Sequence, residues 1–464
     1  MDEYVVRLTS VTLKHIKNVK NGTILMPLAD EKGNKVGASE ILGIYGQNGS
    51  GKTAIVDALY FLQQIMIGFS LDSSMAEYIE VDTANAEINV EFKIFGKTDI
   101  FEVGYHIEFR KNESGISIDR EYLNCAVTRG EDRTNKITFM DYQRSDSDSI
   151  FKPAKRLEEL IGKNKEIRTD LIVARKLAEK SNCSYIFGES SREIFSKSFD
   201  SDFHDYATII DVLFKYALKD LFVIRNTHSG MITANFILPM AFRVENELKG
   251  VKGDFVVPLR EPVILDSERR DLLLEIVRQV NLVLYTIIPG MSIEVRDYGK
   301  QALDTGEDGW RMELMSVRDG KKPIPIRMES EGIIKIISIL NVLIQAFGSP
   351  SVCLIIDELD AGIFEYMLGE LLDVFAKSAK GQLIFTSHNL RALEMLNKES
   401  IMFSTANPEN RYIHMKNVKG TNNLRSLYIR SITLGGQNEV IYEETDSLKI
   451  AKAFRKAGRS LQNE

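Results

Sequence analysis

The octapeptide Gly46-Gln47-Asn48-Gly49-Ser50-Gly51-Lys52-Thr53 constrains the fold of this chain more than any other stretch. It follows an apolar run, Ile41-Leu42-Gly43-Ile44-Tyr45, and precedes a helical pattern over 54–62. The spacing G-x-x-x-x-G-K-T predicts a strand, a glycine-rich loop and a helix in that order. The glycines let backbone N–H groups close around a triphosphate, and the helix N-terminus adds partial positive charge. On this reading Gly46, Asn48, Gly49, Ser50, Gly51, Lys52, Thr53 and Ala54 form a nucleotide cradle. Lys52 reaches the β- and γ-phosphates as a point charge, and the Thr53 hydroxyl ligates Mg²⁺.

At 464 residues, 44% hydrophobic and 27% charged, the chain reads as an ordinary globular protein, with room for about two to four domain-sized units. A net charge of −7 gives no global attraction to nucleic acid or anionic membrane, so any such contact needs a local basic patch. Cys125, Cys183 and Cys353 lack C-x-x-C spacing, as expected of reduced structural thiols. The histidines are scattered, which does not indicate a zinc site. No signal peptide is seen at the N-terminus. The longest apolar candidate, 333–347, is interrupted by Lys335, Ser338, Asn341 and Gln345 and reads as a buried helix. A cytoplasmic protein without a membrane partner is expected.

Alternating apolar residues predict strands over 4–13, 22–27, 40–45 and 86–94, then 100–109 and 116–127 as antiparallel continuations. From 153 to 218 the pattern is helical and charge-rich, without a sustained heptad, which predicts a compact helical insertion. A helix over 265–288 follows, then a strand at 292–295 and a hairpin of 310–317 with 324–328 around Asp319-Gly320. Beyond it helix and strand alternate in short units: helices 332–347, 363–378 and 389–397 with strands 352–356, 382–386 and 400–404. That predicts parallel strands sandwiched by helices. The expected units are 1–150, with P-loop and antiparallel sheet; 151–265, a mainly helical insertion; 266–405, the second lobe; and 406–464, an extension packing on the rest.

Three pieces in the second half fit the P-loop. Val352-Cys353-Leu354-Ile355-Ile356-Asp357-Glu358 is an apolar strand ending in two carboxylates at the ligand edge of a parallel sheet. There Asp357 holds Mg²⁺ through its water shell, and Glu358 polarises the attacking water as general base. Leu383-Ile384-Phe385-Thr386-Ser387-His388 is a second such strand, whose histidine can bond a γ-phosphate and orient the water. Ser330-Glu331-Gly332 opens the helix at 332–347 and offers a hydroxyl, a backbone N–H and a helix dipole to an anion.

These four pieces, in this order, resemble the ATP-binding-cassette (ABC) ATPases of the chromosome-maintenance and DNA-repair branch, the SMC-like and RecF-like heads. Gly46 to Thr53 matches their Walker A motif, Asp357-Glu358 Walker B, His388 the switch histidine, and Ser330-Glu331-Gly332 a diverged signature lacking the Leu-Ser-Gly-Gly-Gln form. The D-loop falls near 359–363, and Gln63, Gln64 and Gln143 are the Q-loop candidates. Within that branch the chain looks most like the compact bacterial AAA-domain (type 15) ATPases, which include AbiL-type and RloA-like phage-defence proteins. Asp357 to Phe364 and Tyr428 to Gln437 carry that likeness.

The resemblance implies an α/β P-loop NTPase of ABC-ATPase head type, with a mixed or parallel β core, an N-terminal antiparallel sheet and a helical insertion. It implies ATP and Mg²⁺ as cofactors and a homodimer or higher homo-oligomer whose heads sandwich ATP. Ser330 and Gly332 of one subunit would then face Lys52, Thr53, Asp357, Glu358 and His388 of the other. It further implies an abortive-infection sensor controlling a separate nuclease or toxin effector. A repair ATPase binding DNA directly would need a basic groove, for which 14/17/20, 152/155/156 and 449/452/455/456/459 are the candidates. A non-catalytic ATP-dependent scaffold is the other alternative. Guanine specificity is disfavoured by the lack of Asn-Lys-x-Asp, and no built-in nuclease motif is seen.

Overall fold

The computed structural model describes residues 4–29, 36–113, 115–162, 166–197, 203–226, 237–246, 249–303, 306–415 and 424–460. The first alternating block forms β1 (Val5–Ile16), which pairs antiparallel with β2 (Val19–Leu25). Its buried side chains change parity, from Val6 and Leu8 to Val11 and Leu13, because the register slips by one residue between Leu8 and Ser10. An inserted residue turns every later side chain to the opposite face, so the bulge keeps the apolar set inward. The strand after that hairpin, β3 (Glu40–Tyr45), leaves this sheet, and the chain continues into helix α1 (Lys52–Met66).

β4 (Asn85–Phe95), β5 (Asp99–Asn112) and β6 (Gly115–Arg129) return to extend the antiparallel sheet. Short β7 (Asp132–Arg133) and β8 (Ile137–Gln143) both pair with β6. Helices α2 (Ala154–Ile161), α3 (Glu166–Ser181), α4 (Glu189–Ser196) and α5 (His204–Lys219) follow. They do not stand apart as an insertion. Leu157, Leu171, Ile194, Ile209 and Leu213 join one core with α1 and the antiparallel sheet. Directly after them β9 (Leu221–Ile224) pairs parallel with the strand carrying Asp357. The first part of the segment expected as a helical insertion over 151–265 thus packs into the body that carries β3 and α1. Helical periodicity shows that a face is buried, not which partner buries it.

A smaller lobe follows β9, with its own core. It contains the hairpin β10 (Ile237–Asn246) and β11 (Lys249–Pro258), then β12 (Val263–Leu265) and α6 (Ser267–Ile287). β13 (Met291–Ala302), β14 (Asp308–Arg318) and β15 (Ile324–Pro325) complete it. The hairpin expected from 310–317 and 324–328 forms as a short antiparallel pairing of β14 with β15, while β14 also lies along β13 for nearly its whole length. Its second arm stops at Pro325, and Ile326–Met328 turns as a 3₁₀ segment. Pro323 and Pro325 lack the N–H a longer ladder needs.

Helix α7 (Glu331–Gly348) joins the two lobes. Ile336, Ile339, Val342 and Leu343 enter the core under the central sheet, while Ile334, Ile337 and Leu340 enter the small-lobe core. Among the described residues it is the one helix long and apolar enough to cross a bilayer, and it is mostly buried within the protein. Burial on both sides explains its all-round apolar surface.

The central sheet is completed by β16 (Cys353–Ile356), β17 (Gln382–Ser387), β18 (Ile401–Ser404) and β19 (Tyr412–Ile413). Helices α8 (Glu365–Ser378) and α9 (Ala392–Met395) lie between these strands, the latter shorter than the helix expected over 389–397. The order is β19-β18-β3-β17-β16-β9, with all neighbours parallel except antiparallel β19 on β18. Every residue of β3, β16, β17 and β18 is buried, as expected of strands covered on both faces. The C-terminal extension packs back with Tyr428 of α10 (Leu424–Leu434) stacked on Phe403 at 5.0 Å. The last helix, α11 (Ser447–Ser460), leaves Leu448, Ile450 and Phe454 exposed.

Candidate functional site

The strand order brings the separated motifs together. β3 feeds the glycine loop, β17 beside it ends before His388, and β16 beside that ends before Asp357. Tyr45 sits opposite Ser387, and Ile356 opposite Phe385, so the three C-terminal ends open at one edge. That edge is where ligands bind in parallel α/β sheets. A cleft of about 390 Å³ lies there, lined by Asn48, Gly49, Gly51, Lys52, Thr53, Ala54, Asp357, Glu358 and His388, together with Lys17 and Asn18.

Within the loop, Gly51 is the N-cap of α1 with φ 91°, a conformation costly for a residue with a β-carbon. The Lys52 ammonium donates to the carbonyls of Gly46 at 2.8 Å and Gln47 at 3.0 Å. Burial holds its pKa below the ordinary lysine value, opposed by the charges of Asp357, Glu358 and Asp360. Thr53 Oγ1 is 3.5 Å from Asp357 Oδ1. Gly46 and Ser50 do not line the cleft. Gly46 contributes its carbonyl to Lys52, and the Ser50 hydroxyl faces backward to Gln47 and Ser404.

Asp357 is 2% exposed, and its Oδ2 has no hydrogen-bond partner. A buried carboxylate oxygen left over beside a threonine hydroxyl fits Mg²⁺, which keeps several waters and takes its remaining ligands from phosphate. Among the described residues no cluster of three or more His, Cys, Asp or Glu forms a self-sufficient cage. Glu358 occupies the left-handed region at φ 49°. Its N–H donates to Thr386 Oγ1 at 2.7 Å, and the same hydroxyl donates to Asp357 Oδ1 at 2.6 Å. The His388 N–H donates to Asp360 Oδ2 at 3.0 Å. Partial burial, and then the Lys52 charge, hold the His388 imidazole below its usual pKa.

Ser330 and Gly332 lie elsewhere, at the start of α7 and outside this cleft. The three Q-loop candidates are also off the site. Gln63 donates to the Ala217 and Leu221 carbonyls and braces α1 against α5 and β9. Gln143 bonds Asp141 on β8, and Gln64 is absent from the cleft lining.

Several residues that position the site escaped the sequence reading. The Asn18 side chain donates to the Gly49 carbonyl, and Lys17 pairs with buried Asp57 of α1. Tyr412 Oη donates to the Gly51 carbonyl at 2.7 Å from behind the loop. Gln47 exchanges hydrogen bonds with the Glu443 backbone. The Lys17 signal was present, but as one of three regularly spaced lysines it pointed to a basic groove. Lys14, Lys17 and Lys20 instead pair with Glu87, Asp57 and Glu409.

This is an α/β fold in which a P-loop follows the central strand of a mixed β core beside an antiparallel sheet. The family described as "AAA domain, putative AbiEii toxin, Type IV TA system" matches residues 41–394, most of the chain. The chain belongs to this family. The match takes in Gly46–Thr53, Ser330–Gly332, Asp357–Glu358 and His388, and leaves out Lys17, Asn18 and the C-terminal braces of the loop. No curated protein matches this AbiEii-type AAA chain. Among solved structures, an Smc head bound to the C-winged helix domain of ScpA is 15% identical with TM-score 0.42, covering 88% of this chain and 97% of that one. The SMC head domain from Thermotoga maritima is 12% identical with TM-score 0.36, covering 88% and 99%. An Smc head domain with coiled coil and joint from Pyrococcus yayanosii is 14% identical with TM-score 0.39, covering 91% and 99%.

Proposed function

We propose that this protein binds and hydrolyses Mg²⁺-ATP, and that two copies associate face to face around the nucleotide. The observation that carries this reading is the convergence of Lys52, Thr53, Asp357, Glu358 and His388 on one cleft. Lys52 and the loop N–H groups bind the triphosphate, Thr53 and Asp357 hold Mg²⁺, and Glu358 takes a proton from the attacking water. The His388 imidazole, its pKa held below the usual value by partial burial and the Lys52 charge, orients the γ-phosphate or the water. Magnesium, when bound, neutralises charge developing on the phosphates.

The exposed start of α7 favours such association. Ser330 is exposed at the start of α7 and makes no capping bond of its own. Met328 before it is 69% exposed and Phe364 after the D-loop 67%. Such apolar side chains beside an exposed helix start suit a second subunit bearing ATP. Hydrolysis removes the γ-phosphate bridge and releases the pair, which makes the assembly a nucleotide-controlled switch. The biological reading is an abortive-infection regulator in the cytoplasm, of the AbiL-type or RloA-like kind, controlling a separate nuclease or toxin effector. The family description, with its AbiEii toxin and type IV toxin–antitoxin system, supports that direction.

The test is light-scattering mass measurement of Glu358→Gln in Mg²⁺-ATP, alongside phosphate release. An ATP-dependent dimer with turnover lost supports the assignment, and wild-type turnover in the variant removes Glu358 as base. Direct DNA binding is the second reading, favoured by one observation: Lys452, Arg455 and Lys456 are exposed on α11. The other clusters support it less, since Lys152 pairs with Asp146 and Arg156 with Glu159. Salt-dependent retardation of duplex DNA, lost in Lys452→Glu/Lys456→Glu, would establish it.

A further inference from the structure

Helix α7 touches the acidic turn from behind at two points. The first is a backbone contact, since a β-carbon built on Gly332 would lie 1.9 Å from the Gly362 carbonyl oxygen. Only two glycines let the helix start and the end of the turn approach so closely. The second is Lys335, 6% exposed, whose ammonium donates to the Glu358 carbonyl. The contacts fall one helical turn apart on α7 and grip both ends of 358–362. We propose that Lys335 is a positioning residue: with the Gly332–Gly362 contact, it ties the partner-facing start of α7 to the general base of its own subunit. This rests on Glu358 being that base.

The physical case begins with the backbone of Glu358. Its φ of 49° is unfavourable for a residue with a β-carbon and persists only where neighbours impose it. Three hydrogen bonds do so here. Glu358 donates its N–H to Thr386 Oγ1 at 2.7 Å, and its carbonyl accepts from the Ala361 N–H at 3.0 Å and from Lys335. The Lys335 bond alone comes from an element outside the sheet edge. An ammonium is also the strongest of the three donors, and burial lowers the pKa of this one against the charges of Asp360, Glu358 and Asp357, which favour its staying protonated. A shift of the α7 start by an ångström therefore moves the Glu358 carbonyl, and with it the carboxylate that must meet water. Anion binding at Ser330 by a second subunit is felt at this subunit's own hydrolytic site.

A lysine that only balanced three carboxylates would act on folding and nucleotide affinity, and the two roles separate in kinetics. Full-length Lys335→Met and Lys335→Arg are compared with wild type for kcat, KM, Mg²⁺-ATP affinity and the mass of the ATP-bound species. Lys335→Met is expected to lower kcat at least tenfold with KM and ATP affinity within twofold of wild type. Lys335→Arg, which keeps a donor at that carbonyl, should recover most of the rate. Gly332→Ala, which must part the two backbones, should reproduce the kcat defect. A Lys335→Met enzyme within twofold of wild-type kcat overturns the proposal. So does a loss of affinity and melting temperature in Lys335→Met that matches its loss of rate. Wild-type turnover in Glu358→Gln instead removes the base assignment itself, so the two failures are told apart.

Discussion

The Thr386 hydroxyl serves Asp357 and Glu358 at once, donating to the Asp357 carboxylate at 2.6 Å and accepting the Glu358 N–H at 2.7 Å. Thr386 is fully buried on β17, the strand that also delivers His388. One side chain therefore fixes the carboxylate proposed to hold Mg²⁺ and the proposed base relative to each other. Thr386→Val keeps the shape and removes the hydroxyl, leaving a buried N–H and a carboxylate oxygen short of partners at about 1–3 kcal/mol. Mg²⁺-ATP affinity is expected to fall about tenfold and kcat with it, while Thr386→Ser stays near wild type. Titration calorimetry with Mg²⁺-ATP checks this, and an unaffected Thr386→Val would remove Thr386 from the positioning set.

The two sheets are fastened by a buried ion pair. Arg7 of β1 lies 2.5 Å from Glu40 of β3 and also bonds the Pro350 and Lys380 carbonyls, while Gln382 of β17 donates to Glu40 at 2.8 Å. Removing one partner of such a pair leaves an uncompensated buried charge, at about 3–5 kcal/mol. Glu40→Gln should lower unfolding stability by about that amount, read from the denaturant midpoint at unchanged m-value.

His388 predicts a proton linkage. Partial burial and the Lys52 charge hold its folded pKa below its ordinary value, which is about 6.5. The folded protein thus binds this proton less tightly than the unfolded chain. Its contribution to stability is full above about pH 6.5 and is lost as the pH falls below it. Triphosphate negative charge beside Lys52 reverses the repulsion, so ATP binding should take up a fraction of a proton as the pH falls below the ordinary histidine range. ATP affinity should strengthen as the pH falls through that window. Calorimetry in two buffers of different ionisation enthalpy measures the uptake, and His388→Gln should abolish it.

Tyr412 ties the C-terminal extension to the glycine loop. Its buried hydroxyl holds the Gly51 carbonyl at 2.7 Å, at the start of α1. Tyr412→Phe removes a net hydrogen bond of about 1 kcal/mol, and ATP affinity should fall about fivefold with little change in fold, as checked by fluorescent-nucleotide titration. Equal affinity in the two proteins would mean the loop holds its shape without this brace.

The local order of the polymer settled a good deal. Strand, glycine loop and helix at 40–66, the apolar strands at 353–356 and 382–387, and the helix start at 330–332 are set by short-range pattern and backbone preference. Such features depend on residues a few positions apart, so a linear reading reaches them. Tertiary structure alone decided which partners meet. Leu221–Ile224 is too short to signal a strand, yet it completes the central sheet beside β16. Gln63, one of three Q-loop candidates, became a brace, whereas Lys17 looked like a surface cation and came to line the cleft. In each case the side chain's chemistry was legible, but its neighbour lay tens to hundreds of residues away, and only burial of the shared core determined which neighbour that was.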